Sequence, residues 1–133
     1  MKYMLDTNIC IYLIKHSSAV LLQKFLDKDP EDFCISVITY SELMYGVEKS
    51  QKKNESYIAL MTFLANIKIL DFNSKAADAY ANIRAKLEKN GKPIGNMDQL
   101  IAAHALSNNL TIVTNNEREF IRVENLKIEN WVS

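Results

Sequence analysis

The sequence contains few of the residues that mark fibrous, disulfide-bonded or membrane-spanning proteins. Only three glycines, two prolines and two cysteines occur among its 133 residues. So little glycine and proline excludes collagen-like and low-complexity chains. Two cysteines are too few for a disulfide scaffold, which favours the reducing cytoplasm. No apolar run reaches the length of a transmembrane helix, and Asp6 interrupts the first apolar run, so we expect neither a membrane span nor a secretory signal.

An excess of charge of one sign is also missing. Sixteen basic and sixteen acidic residues give a formal net charge of zero, which excludes a protein that coats nucleic acid by bulk electrostatics but allows a local basic patch. Hydrophobic residues make up 48% and charged residues 24%, as in ordinary globular proteins, so disorder is excluded. We expect residues 1–133 to form one domain that folds without a disulfide or a structural metal.

Short strand-like runs alternate with longer helical runs along the chain. The predicted strands lie at 2–6, 33–36, 67–70 and 110–114, with a fifth edge strand at 127–131. The predicted helices begin at Thr7 or Asn8, at Ser17 or Ser18, at Thr39, near 58, at Ser74 and at Asn96, and Gly91 ends the one that begins at Ser74. Strands separated by helices pair in parallel through right-handed crossovers, so we predict a doubly wound α/β domain.

Polar residues lie where such a sheet places its ligands, beyond the carboxyl ends of the strands. Asp6 ends the first strand, and Glu42 lies in the first turns of the helix after the second. Asp98 opens the helix before the fourth strand, which Asn116 and Glu119 follow. Carboxylate and amide oxygens are the ligands that Mg²⁺ and Mn²⁺ prefer, and a cation would offset the repulsion among clustered carboxylates. The set therefore predicts a divalent-metal site suited to attack on a phosphodiester.

Each acid alone has a simpler structural explanation. Asp6 matches a helix N-cap, Glu42 stands at capping-box spacing after Thr39, and Asp98 suits the dipole of a helix N-terminus. However, the helix that Asp98 opens is apolar nearly all round, which indicates burial, and an acid at the entrance of a buried helix needs a partner. The four positions together, rather than any one acid, indicate a functional site.

Four segments that contain these acids share a pattern with a known family. They are Met4–Asn8, Ser36–Gly46, Pro93–Asp98 with the following Gln-Leu-Ile-Ala-Ala-His, and Ile112–Phe120. Over essentially the whole chain they resemble the PIN-domain ribonucleases, and more narrowly the VapC toxins of bacterial toxin–antitoxin modules. The resemblance implies a three-layer α/β/α sandwich with a central parallel sheet of four to five strands. It also implies an endoribonuclease that depends on Mg²⁺, for which Mn²⁺ can substitute.

The resemblance assigns roles to individual residues. Three acids match the family's metal-binding and catalytic acids by position: Asp6, Glu42 and Asp98. The fourth acid is less fixed, because many members have Asp where this chain has Asn116, and others have an acid where it has Glu119. We expect Glu119 to be the fourth acid, and we leave open whether one or two metals bind. Three polar residues are expected to position water or substrate: Asn116, Thr114 and Asn8.

Basic residues stand beside the acidic segments and predict an RNA-binding surface. The candidates are Arg84, Lys92, Lys49 and Arg118, and Arg122 also flanks Glu119. A solvated helix face is the alternative, but cations in these places would hold RNA phosphates next to the acids. The resemblance implies cleavage of tRNA, with the initiator tRNA anticodon stem–loop as the leading candidate, and hence inhibition of translation. It also implies a homodimer and a cognate antitoxin that fills the acidic site.

Other chemistries lack the residues that they need. The histidines do not have the spacing of a zinc protease, and the cysteines do not form a C-x-x-C pair. We therefore expect all four residues to be structural or at the surface: His16, His104, Cys10 and Cys34. A phosphatase of the haloacid dehalogenase type would have a second Asp where this chain has Asn8. A two-component receiver domain would have a Lys after Thr114, where this chain has Asn115. The remaining alternative is a non-catalytic binding module whose acids only cap helices.

Overall fold

Five parallel strands form the centre of the computed structural model, which describes residues 1–132. The strands are β1 (Tyr3–Leu5), β2 (Phe33–Ser36), β3 (Lys68–Leu70), β4 (Thr111–Val113) and β5 (Lys127–Glu129). Their order is β3-β2-β1-β4-β5, and every neighbouring pair is parallel. All the carboxyl ends therefore lie at one edge of the sheet, and the fifth strand that the sequence predicted is confirmed.

Seven α-helices surround this sheet. They are α1 (Thr7–Lys15), α2 (Ala19–Leu26), α3 (Val37–Glu48), α4 (Lys53–Leu64), α5 (Ser74–Lys89), α6 (Asn96–Ser107) and α7 (Glu117–Phe120), with a 3₁₀ turn at Pro30–Asp32. Within residues 1–132, no single helix is long and apolar enough to cross a membrane. Only α1 and α2 together meet that length and composition, and the chain bends by 98° between them.

Successive side chains of the central strands enter two different cores. Leu5, Ile35 and Val113 pack with α1 to α4 on one face of the sheet. Their neighbours in sequence pack with α5 and α6 on the other face: Met4, Cys34 and Ile112. This alternation follows from the two-residue period of a strand. Because both faces are covered, the three central strands are mostly apolar, and the predicted three-layer α/β/α sandwich is confirmed.

The starts of α1 and α3 bear on the acids, and only the start of α3 was predicted wrongly. Helix α1 begins at Thr7, and of the caps that the sequence offered, Asp6 is the one in place: its carboxylate accepts the Ile9 N–H at 2.9 Å. Helix α3 begins at Val37, two residues before the predicted start, because the Ser36 hydroxyl accepts the Ile38 N–H at 3.0 Å. The capping-box interpretation of Glu42 is therefore wrong, since that acid lies well inside the helix. The predicted start of α2 is confirmed by its Ser18 cap.

Helices α5 and α6 pack against each other and form a hairpin. Gly91 has the left-handed φ of 65° that a helix C-terminus favours. The N–H groups of Gly91 and Lys92 donate to the carbonyls of Glu88 and Leu87 at 3.1 and 2.9 Å, which closes α5 in a Schellman motif. The short loop that follows leads directly into the first turn of α6, where Asp98 lies.

Candidate active site

The four acids that the sequence predicted meet beyond the carboxyl edge of the sheet. Asp6 follows β1, Glu42 lies on α3, Asp98 lies on α6 and Glu119 lies on α7. The carboxyl groups of Asp98 and Glu119 are hydrogen-bonded to each other, and the charges of Asp6 and Glu42 act on Asp98. Residues more than a hundred positions apart in sequence thus form one acidic cluster. The structure brings them together because the strands of the sheet all run in the same direction.

Asp6 is both a helix cap and the innermost acid of the cluster. It is 4% exposed. One carboxylate oxygen accepts the Ile9 N–H, and the Thr114 hydroxyl also bonds to the carboxylate. Burial raises the pKa of Asp6, and the charge of Glu42 adds to this, whereas the hydrogen bonds from Thr114 and Ile9 lower it. The capping explanation and the site explanation are therefore compatible, because one carboxylate has enough lone pairs for both roles.

Glu42 is held by a residue that the sequence analysis did not place in the site. The Thr7 hydroxyl donates to Oε1 of Glu42 at 2.6 Å, across the interface between α1 and α3. Thr7 had been considered only as a helix cap. Its position directly after Asp6 could have indicated this role, because the first residue of a helix that begins at the carboxyl edge of the sheet lies close to the acids gathered there. Thr7 fixes the Glu42 carboxylate beside Asp6.

Asn116 bonds to Glu119 instead of replacing it. Its side-chain amide donates to Oε2 of Glu119 at 2.7 Å, and its backbone N–H donates to the Thr114 hydroxyl at 2.8 Å. That hydroxyl also helps to lower the pKa of Asp6. Thr114 and Asn116 therefore lie between Asp6 and Glu119 and connect their surroundings. Of the two candidates for the fourth acid position, Glu119 is the one that faces Asp98.

Negative charge is in excess at Asp98. Burial, the hydrogen bond with Glu119 and the charges of Glu119, Asp6 and Glu42 together raise the pKa of Asp98 to about 7. A hydrogen bond between two carboxyl groups requires one of them to hold a proton, and a bound cation would displace that proton. The carboxyl groups around Asp98 therefore favour a bound positive charge.

The donor set fits a hard divalent cation. The four acids offer oxygen ligands only, which suits Mg²⁺ or Mn²⁺ better than Zn²⁺. In the part of the chain from 1 to 132, no three His, Cys, Asp or Glu side chains already stand close enough to hold an ion together. A cation at this edge of the sheet would therefore be held only after the carboxyl side chains move closer together.

The predicted RNA-binding cations differ in how many contacts they already make within the protein. Lys49 lies seven residues after Glu42 on the same face of α3, and its ammonium stands 4.9 Å from the centre of the Tyr45 ring. Arg84 donates to the Tyr80 hydroxyl at 2.9 Å and pairs with Glu88 at 3.5 Å. The other two are exposed: Lys92 in the α5–α6 loop and Arg118 on α7. Asn8 is exposed as well, and within residues 1–132 its side chain makes no hydrogen bond.

The histidines and cysteines lie outside the acidic cluster, as predicted. His104 is buried, its Nδ1 lies 2.7 Å from the Ser36 hydroxyl, and its ring meets Phe72 edge-on at 5.3 Å. His16 is exposed at the end of α1. Both cysteines are buried free thiols, and burial raises the pKa of each, which keeps them protonated and unreactive: Cys10 and Cys34.

An apolar groove of about 930 Å³ opens beside the cluster, between α1, α3 and α4. Its floor is formed by Ile11, Ile14, Leu43, Val47 and Leu60, and Glu42 and Lys49 also line it. Gly46 lines the groove too, and a Cβ atom at that position would meet nothing within 4 Å. The groove therefore connects an apolar surface directly with one acid of the cluster.

Comparison with known proteins relates the whole chain to one group. Residues 3–126 match the PIN domain family. The chain is 45% identical over 131 residues to the tRNA(fMet)-specific endonuclease VapC of Shigella flexneri, and the match covers 98% of both chains. The structure of VapBC2 from Rickettsia felis bound to a DNA fragment from their promoter superimposes with a TM-score of 0.91 at 44% identity, covering 98% of this chain and 99% of that one. The structure of DNA-bound VapBC from Salmonella typhimurium superimposes with a TM-score of 0.93 at 41% sequence identity, and the match covers 98% of each chain.

Proposed function

We infer the activity of this chain from its membership of the PIN-domain family, in the VapC branch: it is an endoribonuclease, the toxin of a toxin–antitoxin module. We propose that cleavage depends on Mg²⁺ or Mn²⁺, and that residues 1–133 form one catalytic domain. The observation that carries this proposal is the cluster at Asp98, where burial together with three further carboxylates raises the pKa to about 7. A non-catalytic module whose acids only cap helices would have no need of this cluster.

Each acid has a distinct part in the proposed site. Asp6 and Asp98 would hold the metal most directly, because Asp6 is fixed at the sheet edge and Asp98 faces the other acids. Glu42, oriented by Thr7, would hold or orient the attacking water. Glu119 would complete the pocket. A bound divalent cation would lower the pKa of a water molecule and offset the charge of the scissile phosphate.

We propose tRNA as the substrate, with the initiator tRNA anticodon stem–loop as the leading candidate and inhibition of translation as the result. The name of the Shigella relative, a tRNA(fMet)-specific endonuclease, supports this proposal. Lys49, Lys92 and Arg118 are the exposed cations that would contact the phosphates, whereas Arg84 is already bonded within α5. We place the activity in the cytoplasm, where this substrate occurs and where two free thiols stay reduced.

We propose that a cognate antitoxin occupies the groove between α1, α3 and α4. The similar solved structures are VapBC complexes, which supports a protein partner. The groove offers apolar surface for a helical or extended segment, and its charged residues, Lys15, Lys49 and Lys52 with Glu42 and Glu55, would pair with charges of both signs on the partner. Such a partner would neutralise the acids and block RNA. We propose in addition that the free toxin is a homodimer, which light scattering of the purified chain would show as twice the mass of the monomer.

Cleavage of a total tRNA pool by the purified chain tests the proposed activity. We expect specific cuts with Mg²⁺ or Mn²⁺ and none with EDTA, and sequencing of the new RNA ends would identify the tRNA. Cleavage that continues in EDTA would overturn the metal dependence. A well-folded chain that cuts no RNA with either metal would favour the non-catalytic binding module.

A further inference from the structure

Two side chains bind consecutive carbonyl groups in the loop that leads to Asp98. The Arg122 guanidinium donates to the Pro93 carbonyl at 3.0 Å, from a segment 29 residues later in the chain. The side-chain amide of Gln99 donates to the Ile94 carbonyl at 2.8 Å. Gln99 is 3% exposed, and its Oε1 finds no partner among residues 1–132. The bond from the amide nitrogen to the Ile94 carbonyl is therefore the one hydrogen bond that the Gln99 side chain makes within residues 1–132.

The loop needs such support because the start of α6 lacks the usual one. Gly95 is the N-cap of α6 and offers no side-chain hydrogen bond. The loop also lies close to the acid itself, since a Cβ built on Gly95 would lie 3.6 Å from Oδ2 of Asp98. A shift of the loop would therefore move the first turn of α6 and its carboxylate.

Arg122 also connects the two segments that carry the facing acids. It lies three residues after Glu119, and Pro93 lies five residues before Asp98. The hydrogen bond from Arg122 to Pro93 thus ties the α7 segment to the α6 entrance at the place where the carboxyl groups of Asp98 and Glu119 meet. As a cation that flanks Glu119, Arg122 would be expected to hold RNA phosphate, but its guanidinium is bonded within the protein.

We propose that Arg122 and Gln99 are positioning residues that clamp the 93–95 loop and so set the spacing of Asp98 and Glu119 for the metal. This inference rests on the proposed metal-dependent function and deepens it. Replacing a residue that hydrogen-bonds directly to a metal ligand commonly weakens metal binding by about tenfold or more, and Arg122 and Gln99 hold the backbone that carries one such ligand. The clamp therefore predicts weaker metal binding in variants that keep all four acids.

The sign of the effect separates this role from simple electrostatics. Removing a cation near an acidic cluster would strengthen the binding of Mn²⁺ if Arg122 acted only through its charge. If Arg122 instead holds the loop, its replacement lets Asp98 and Glu119 move apart, and Mn²⁺ binding becomes weaker. Gln99 provides a test without any charge change, because Gln99→Met replaces a side chain of similar length. Gln99→Met removes an unpartnered buried acceptor but also leaves the Ile94 carbonyl without its donor, so chemical denaturation must show that this variant is still fully folded under the conditions of the titration.

The experiment is a Mn²⁺ titration of the full chain without RNA, followed by calorimetry, for the wild type, Arg122→Met, Arg122→Lys and Gln99→Met. Lys127→Met is the charge-matched control, because Lys127 is exposed at the amino end of β5, far from the acids along that strand. We expect roughly tenfold weaker binding in Arg122→Met and Gln99→Met, a smaller loss in Arg122→Lys, and no loss in Lys127→Met. Amide hydrogen exchange in the 93–98 segment should be faster in the first two variants.

The outcomes separate the clamp from the function on which it rests. Unchanged or tighter Mn²⁺ binding in both Arg122→Met and Gln99→Met, with wild-type exchange in the loop, would overturn the clamp while leaving the metal site in place. Failure of the wild type itself to bind Mn²⁺ or Mg²⁺ would overturn the proposed metal-dependent function.

Discussion

Asp98 is the residue whose ionisation the site most strongly opposes. Its pKa is raised to about 7 from a usual value near 4, so the folded protein without metal holds a proton that the unfolded chain releases. Between about pH 4 and pH 7 the free energy of unfolding must then fall as the pH rises. We expect Asp98→Asn in EDTA to lose less stability than the wild type between roughly pH 5 and pH 8, as measured by chemical denaturation.

Asp78→Asn is the control for this comparison, because Asp78 is an exposed acid on α5 with no ion pair within residues 1–132. His104, whose pKa burial lowers, remains in every variant and is not among the groups that act on Asp98, so its contribution cancels in the difference. Parallel pH dependences for the wild type and Asp98→Asn would show that Asp98 does not carry the excess charge.

Glu119 and Asn116 are expected to contribute unequally to metal binding. Glu119 faces Asp98, whereas Asn116 acts through its 2.7 Å bond to Glu119. We expect Glu119→Gln to lower turnover and raise the Mg²⁺ concentration for half-maximal cleavage, and Asn116→Ala to do so less. Asn116→Asp would set two carboxylates against each other, so it should destabilise the metal-free protein and be rescued by Mn²⁺.

Cleavage assays across a Mg²⁺ titration give the first comparison, and thermal melts with and without Mn²⁺ give the second. If Asn116→Ala were inactive while Glu119→Gln behaved as the wild type, the two roles would have to be exchanged.

At this scale, the sequence predicted which acids converge but not what holds them. Residue type and position at strand ends were enough to find Asp6, Glu42, Asp98 and Glu119. The hydroxyl of Thr7 on Glu42 depends on how α1 packs against α3, which no local pattern in the chain reveals.

Among the elements, the α5–α6 hairpin brings basic residues towards the acids, yet its cations are not equivalent. Arg84 is bonded to Tyr80 and Glu88, whereas Lys92 stands exposed in the loop before Asp98. We expect Lys92→Glu to weaken RNA binding more than Arg84→Glu, because Arg84 must first leave its own partners on α5. Removing one cation that binds a phosphate should also reduce the slope of log affinity against log salt, by about 0.7 for single-stranded RNA.

Fluorescence anisotropy with a labelled stem–loop at several salt concentrations measures both quantities. The charge reversal is the same in the two variants, so Arg84→Glu serves as the matched control. Equal losses of affinity in the two variants would mean that the hairpin attracts RNA only through its overall charge. No loss in either variant would mean that these cations face solvent and do not contact RNA.

Element boundaries were predictable wherever a local signal was unambiguous. The four residues of β2 and the end of α5 at Gly91 were correct, because an apolar run and a left-handed glycine each allow one interpretation. The cap of α1 was left open among three residues and the start of α3 was wrong, because several adjacent polar residues can cap a helix. The backbone path out of each strand decides which of them does so.

For the whole molecule, a metal that binds only the folded state must stabilise it. At a hundredfold excess over Kd the expected gain is about 2.7 kcal/mol. We therefore expect millimolar Mn²⁺ to raise the Tm of the wild type, and Mg²⁺ to do so as well, since every ligand is a hard oxygen. Asp6→Asn should abolish most of this shift, whereas Asp78→Asn should keep it. A melt that Mn²⁺ leaves unchanged would contradict the predicted metal site.

The overall architecture followed from the order of the elements, because alternating strands and helices leave few options besides a parallel sheet. The resemblance to PIN-domain proteins supplied the layer arrangement and the expected activity, both of which the family match supports. The groove between α1, α3 and α4 could not have been predicted, because it arises from three helices that the sequence does not orient relative to one another.

The central claim is that the acidic cluster cuts RNA with a divalent metal, and the most direct test is a single cleavage assay. Purified wild type, Asp98→Asn and Asp78→Asn, each shown to be folded by circular dichroism, would be incubated with tRNA and Mg²⁺ under identical conditions. The account predicts cleavage by the wild type and Asp78→Asn and none by Asp98→Asn. Full cleavage by Asp98→Asn, in a preparation free of other nucleases, would contradict it.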